Sequence, residues 1–277
     1  MKRKNSTLLI LFFLIFSGSI IIFFLYTYYI NEILNSLELI PELMILIPII
    51  FIKISVISIM GGFLLFRWYN QQEQYLSDIS FMFGIFFIIL IFGKLLDILI
   101  NMLYYLISPD SILILVKIRF LLIISNIFPI LFFSIEIILM YLSLYERFSA
   151  LKIKNTSAKY RNRILILLLV LFSLVIILAP DYSTILTIYP LLMIPSFIMI
   201  VLMFLYAYRS KRLSEINPLI VAIGFFAFLL TTVFRAIGQN IIDPKFASIL
   251  SEIFEIISFI IIFIGLIRKA NYIRSEE

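Results

Sequence analysis

Lys94 and Asp97 stand three residues apart in the apolar run "FGIFFIILIFGKLLDILI", residues 83–100. On a helix that spacing puts them on one face, and Asn101 continues the face four residues later. A charge at the centre of a membrane helix costs about 2.5–3.5 kcal/mol on insertion scales. Such residues turn toward other helices or a wet cavity, and they are candidate ligand, ion or proton sites.

Further polar residues interrupt other apolar runs. Lys53 lies ten residues into one of them, about 15 Å down a helix and near a bilayer midplane. Lys117 and Arg119 open another, with Asn126 two turns beyond Arg119. Arg235 ends a stripe of Gly224, Ala227 and Thr231, flanked by Phe225, Phe226 and Phe228. Small and polar residues on one face mark the side that packs on protein. Glu252 and Glu255 enter a last run one turn apart. All these are expected in the outer half of the membrane or near its midplane, whereas Glu136 falls in the inner part.

The outer set holds five cations (Lys53, Lys94, Lys117, Arg119, Arg235) and three anions (Asp97, Glu252, Glu255). One reading is a pocket for an anionic or zwitterionic ligand. The other is a polar network that only holds helices together, each hydrogen bond contributing about 0.6–2 kcal/mol. Lys117, Arg119 and Arg235 also have the length to snorkel to the interface. The sequence leaves both readings open.

Several chemistries have no residues to carry them. The chain has no Cys and no His. That removes disulfides, thiol nucleophiles, histidine bases and most zinc or haem ligation. No P-loop occurs, "GKLLD" is not an aspartyl-protease site, and E-x-x-E at residues 252–255 is not an adjacent glutamate pair. The last apolar run carries no central lysine of the kind retinal needs. Catalysis, a cofactor, a metal and nucleic-acid binding are therefore not expected.

The elements that hold these residues are membrane helices. The chain is 64% hydrophobic and 14% charged, with a mean hydropathy of +1.18. Soluble domains are about a quarter charged. Eight segments carry the roughly 20 apolar residues that a crossing needs: 7–29, 43–66, 77–106, 112–144, 164–179, 188–208, 218–238 and 248–267. The expected fold is all-α, a polytopic membrane helix bundle. It reads as one integral membrane domain, with a first helix within residues 1–30 and a seven-helix core over residues 43–267. The basic start and small residues of "MKRKNSTLLILFFLIFSGS" have signal-peptide character. The apolar run continues for ten residues more without an A-x-A site, so a retained helix is expected.

The connecting segments alternate in charge. Lys2, Arg3 and Lys4, then Arg67, then six cations between Tyr145 and Arg163, then Arg209, Lys211 and Arg212, then Arg268, Lys269 and Arg274 fall on one side. The intervening segments "INEILNSLELIPE", "SPDS" and "PDYST" carry no Lys or Arg. The positive-inside rule makes the basic side cytoplasmic, with both termini there and the chain in the cell membrane. The segment Tyr145–Arg163, with Glu146 its one acid, also has the charge to attract anionic lipid headgroups or an acidic partner. Pro129, Pro190 and Pro195 lie inside helices, either shaping a cavity or simply tolerated.

The stretches "FRWYNQQEQYLSDISFMFGIFFIILIFGKLLDIL" and "KIRFLLIISNIFPILFFSIEIILMYLSLYERF" resemble the seven-helix sensor region at the N-terminus of many membrane histidine kinases, and stand-alone relatives of it. The likeness covers residues 43–267 and rests on a polar hinge, a long third helix and a long fourth helix. It implies sensing from within or just outside the membrane, with output passed to a cytoplasmic signalling partner. The chain differs in having no kinase, no phosphorylatable His and an extra first helix. A sensor or receptor is the expected function. A small solute or ion carrier and a non-catalytic membrane subunit are the alternatives.

Overall fold

The computed structural model describes residues 2–41, 43–75, 77–211, 213–238 and 241–270. Arg212 and Arg274 of the charge reading lie outside the described residues, as do the side chains of Lys2, Arg3, Lys4 and Lys154.

Long apolar runs without strand-like alternation fold as helices, because a helix satisfies every backbone group within one segment. The helices are α1 (Lys2–Tyr28), α2 (Ile30–Leu39), α3 (Leu43–Tyr69), α4 (Ile79–Leu103), α5 (Pro109–Leu142), α6 (Lys154–Leu178), α7 (Tyr182–Arg209), α8 (Pro218–Gly238) and α9 (Pro244–Ile267). A 3-10 helix, Glu146–Lys152, precedes α6. Eight of them, all but α2, are long and apolar enough to cross a membrane. These correspond one to one with the eight segments expected, and no strand occurs among the described residues. The chain is a multi-pass, all-α membrane protein.

Two segments differ most from expectation. The segment "INEILNSLELIPE", read as a connection, contains the ten-residue α2. Its Ile33 and Ser36 are buried and it packs against α4. Apolar residues three and four apart (Ile30, Ile33, Leu34, Leu37) give it an apolar face too short to span. The fifth crossing also begins earlier than expected: α6 starts at Lys154 rather than Ile164. Lys and Arg are good helix formers and let the helix run on beyond its apolar part.

The chain divides into two compact units, Met1–Asn126 and Ile127–Glu277, with the division inside α5.

In the first unit α4 is central, packing against α1, α2 and α3. On α3 the buried residues Ile50, Lys53, Ile57, Met60, Leu64 and Trp68 recur at spacings of three and four, so they form one stripe. Gly61 lies against Gly84 and Phe87 of α4. A Cβ on Gly84 would meet Leu65 at 2.7 Å, so the α3–α4 approach needs glycine there. At the hinge, buried Trp68 packs on Phe81 with ring centroids 4.5 Å apart, and its indole N–H donates to the Tyr75 carbonyl at 3.1 Å. Asp78 caps α4 by accepting from the Ser80 N–H at 2.7 Å.

In the second unit α8 lies between α7 and α9. A Cβ on Gly224 would stand 2.6 Å from Ile262 Cγ1, and one on Gly265 would stand 2.7 Å from the Val221 nitrogen. The Asn217 N–H donates to the Gly265 carbonyl at 2.8 Å, tying the start of α8 to the end of α9. Asn217 also caps α8 ahead of Pro218, its side chain accepting from the Ile220 N–H at 3.3 Å. A capping residue followed by proline at the first helical position is a natural helix start. The small stripe of α8 meets α9, as expected. The flanking Phe residues are not all outward: Phe225 stacks with Phe204 and Phe197 of α7, and Phe228 packs on Phe259 of α9. Only Phe226 of the three is exposed.

Candidate functional site

The charges within the spans collect into two groups, one in each unit. In the first unit α4 presents Lys94 and Asp97 on one face, with Lys94 Nζ 3.3 Å from Asp97 Oδ2. Arg119, nearly three turns into α5 after its Pro109 start, reaches the same carboxylate. Its Nε donates to Oδ1 at 2.5 Å and its Nη2 to Oδ2 at 3.3 Å. This two-point grip fixes the carboxylate plane and is stronger than a neutral hydrogen bond. The three side chains are only 5%, 16% and 18% exposed for Lys94, Asp97 and Arg119.

Lys53 is fully buried on the α3 stripe. The packing of Gly61 against Phe87 sets the register of the antiparallel α3–α4 pair. Eight residues back from Gly61 is Lys53, and eight on from Phe87 is Leu95. Lys53 therefore lies at the depth of Lys94 and Asp97. Among the described residues three cations and one carboxylate share this depth. Tyr26 of α1 approaches the same level, donating its hydroxyl to the Leu95 carbonyl at 2.8 Å. Farther along α5, Asn126 is buried, and its Oδ1 accepts no hydrogen bond among the described residues.

In the second unit Arg235, at the end of α8, lies between two carboxylates of α9. Its Nη2 is 2.8 Å from Glu252 Oε1 and 2.6 Å from Glu255 Oε1. The carboxylates are 7% exposed and the guanidinium 30%. The close packing at Gly224 and Gly265 holds the helices in register, so that Arg235 meets α9 two and three turns after its start. Among the described residues two anions stand around one cation here, the reverse of the first group.

Glu136, the one inner acid, has a local explanation. Arg161 of α6 reaches it, Nη1 to Oε2 at 3.1 Å, and lies 3.8 Å over the Phe132 ring. One cation of the basic segment is thus held by a membrane carboxylate and an aromatic face.

Of the eight residues expected to form the site, Lys94, Asp97 and Arg119 come together, with Lys53 at their depth. Arg235, Glu252 and Glu255 form their own group. Asn101 is exposed. Arg119 and Arg235, which have the length to snorkel, instead hold carboxylates. Sequence reasoning missed Tyr26; its only signal was a hydroxyl near the end of an apolar helix.

The first group is suited to holding an anion, since ammonium and guanidinium donors converge where neutral helix surface would be expected. The second is suited to holding a proton or small cation. Among the described residues no set of three or more Asp, Glu, His or Cys is arranged to bind a metal ion. Comparison with protein-family models, with curated proteins and with solved structures gives no match for this chain.

Proposed function

We propose that the chain is a multi-pass membrane sensor. It binds a small anionic or zwitterionic ligand at Lys53, Lys94, Asp97 and Arg119, and passes the event to a partner protein on the basic side. The observation that carries this reading is the gathering of Lys53, Lys94 and Arg119 at one buried depth of the first unit, with Asp97 gripped by Arg119 and touched by Lys94. Keeping such charges in a membrane helix is costly, and a bound anion offsets that cost. The likeness to the seven-helix sensor region supports the same reading. The positive-inside rule puts the segment Tyr145–Arg163 in the cytoplasm, where a helix shift would be read out.

The Arg235–Glu252–Glu255 group favours a second reading, an ion-coupled carrier, because paired membrane carboxylates suit proton or cation passage. Two measurements separate them. A thermal-shift screen of small carboxylates, phosphates and amino acids on purified protein should find a stabilising ligand. Uptake of that ligand into proteoliposomes should be absent for a sensor and present for a carrier. If nothing in the screen stabilises the protein, the sensor reading fails.

A further inference from the structure

The second unit contains a cavity of about 480 Å³ between α5 and α7, within the range of small-ligand sites. Ile137 and Tyr141 of α5 and Pro195, Ile198, Leu202 and Tyr206 of α7 are among its walls. Ile198 and Leu202 are 43% and 59% exposed, so the groove is open along one side. Proline at 195 has no N–H to give to the turn before it, which loosens α7 where the groove begins.

Length, polarity and charge together identify an occupant. Pro195 to Tyr206 is eleven residues, about 16 Å of helix. That is about half of a hydrocarbon core of ~30 Å, the depth of one leaflet. The end toward the basic segments is marked by tyrosines: Tyr141 and Tyr206 have ring centroids 4.9 Å apart, and the Tyr141 and Tyr145 hydroxyls are 2.6 Å apart. Amphipathic rings of this kind sit at headgroup level. Just beyond them come cations. Arg209 is exposed one turn after Tyr206 on the same face, and Arg147 follows Tyr145 by two residues. Lys152 and Lys211 lie farther along the same segments. Of the acids in these segments, Glu136 is held by Arg161, leaving Glu146 and Glu215 against the four cations Arg147, Lys152, Arg209 and Lys211. The rim is therefore cationic.

We propose that this groove binds an anionic phospholipid, one acyl chain along α7 between Pro195 and Tyr206 and the headgroup phosphate at Arg209 and Arg147. The site is independent of the sensor reading. It uses neither charged group within the spans and stands if that reading falls.

The test is native mass spectrometry of the protein after incubation with equal amounts of dioleoylphosphatidylglycerol and dioleoylphosphatidylcholine in detergent. Wild type should retain the anionic lipid roughly thirty-fold over the neutral one, the factor expected from about 1 kcal/mol for each of Arg209 and Arg147. Leu202→Trp fills the groove from an exposed position and should lose the retained lipid. Ile198→Trp, one turn earlier, should do the same and guards against misfolding of either variant. Arg209→Gln should keep a lipid but reduce the headgroup preference to roughly five-fold, the share of Arg147 alone. Leu191→Trp, exposed on α7 outside the groove, should behave as wild type. Equal retention of both lipids by wild type, or unchanged retention in both groove-filling variants, would overturn the proposal. So would a wild-type dimer that Leu202→Trp dissociates, because the groove would then seat a second copy of the chain.

Discussion

Arg119 grips Asp97 through two nitrogens, across two helices and 22 residues of chain, while Lys94 approaches the same carboxylate from one turn away. Asp97 is thus the carboxylate on which both cations meet, and the group depends on it. Removing one partner of a buried ion pair costs about 3–5 kcal/mol, because the other charge stays behind. Asp97→Asn should therefore lower the melting temperature of the detergent-solubilised protein markedly. Lys94→Met added to Asp97→Asn should recover part of the loss, since it removes one stranded cation. An Asp97→Asn protein as stable as wild type would show that the pairing contributes little.

The α8–α9 contact makes a prediction with its own control. Gly224→Ala and Gly265→Ala each place a methyl within 2.8 Å of backbone nitrogen on the facing helix. Overpacking of this kind costs roughly 1–3 kcal/mol. Gly62→Ala meets nothing within 4 Å and should be neutral or stabilising by up to about 1 kcal/mol from helix propensity. Unfolding midpoints of the three variants decide it.

Asp181 caps α7 by accepting from the Thr184 N–H at 2.7 Å, and that hydrogen bond holds its carboxyl below the ordinary value. The charged form is the one favoured in the folded state. The stability it contributes is present above its unfolded value of about 3.9 and fades as pH falls through the folded value. Asp181→Ala should lower the melting temperature at pH 7, and the gap to wild type should narrow as the pH is taken well below 4. A gap independent of pH would mean that the charge is not what caps the helix.

The topology can be tested cleanly because the chain has no cysteine. Ser108→Cys lies in the "SPDS" connection, which carries no Lys or Arg, and Ser149→Cys in the basic segment, both exposed. A membrane-impermeant maleimide on intact cells should label the first. It should reach the second only after permeabilisation. The opposite pattern would invert the orientation.

The spans were legible in the sequence because hydropathy alone sets them, and the error at α6 arose where basic residues prolong a helix past its apolar part. The α8 stripe was legible because small residues announce close approach, and Gly224 does meet Ile262. The Lys94–Asp97 pair could be read from spacing within one helix, whereas its link to Arg119 and the pairing of Arg235 with Glu252 and Glu255 depend on how different helices rotate. Periodicity does not fix that rotation, so Asn101 was grouped with Asp97 although it is exposed. The hydroxyl of Tyr26 and the groove beside Pro195 escaped for the same reason.

The most direct measurement compares wild type with Lys53→Met in thermal unfolding against an anion found by the screen. Methionine keeps the length of the buried side chain without its charge, so the fold should survive, as buried charges often can be replaced. At about a hundred times its dissociation constant, the anion should stabilise wild type by roughly 2.7 kcal/mol and the variant by far less. The same gain in both proteins would show that the cations at this depth do not hold the ligand.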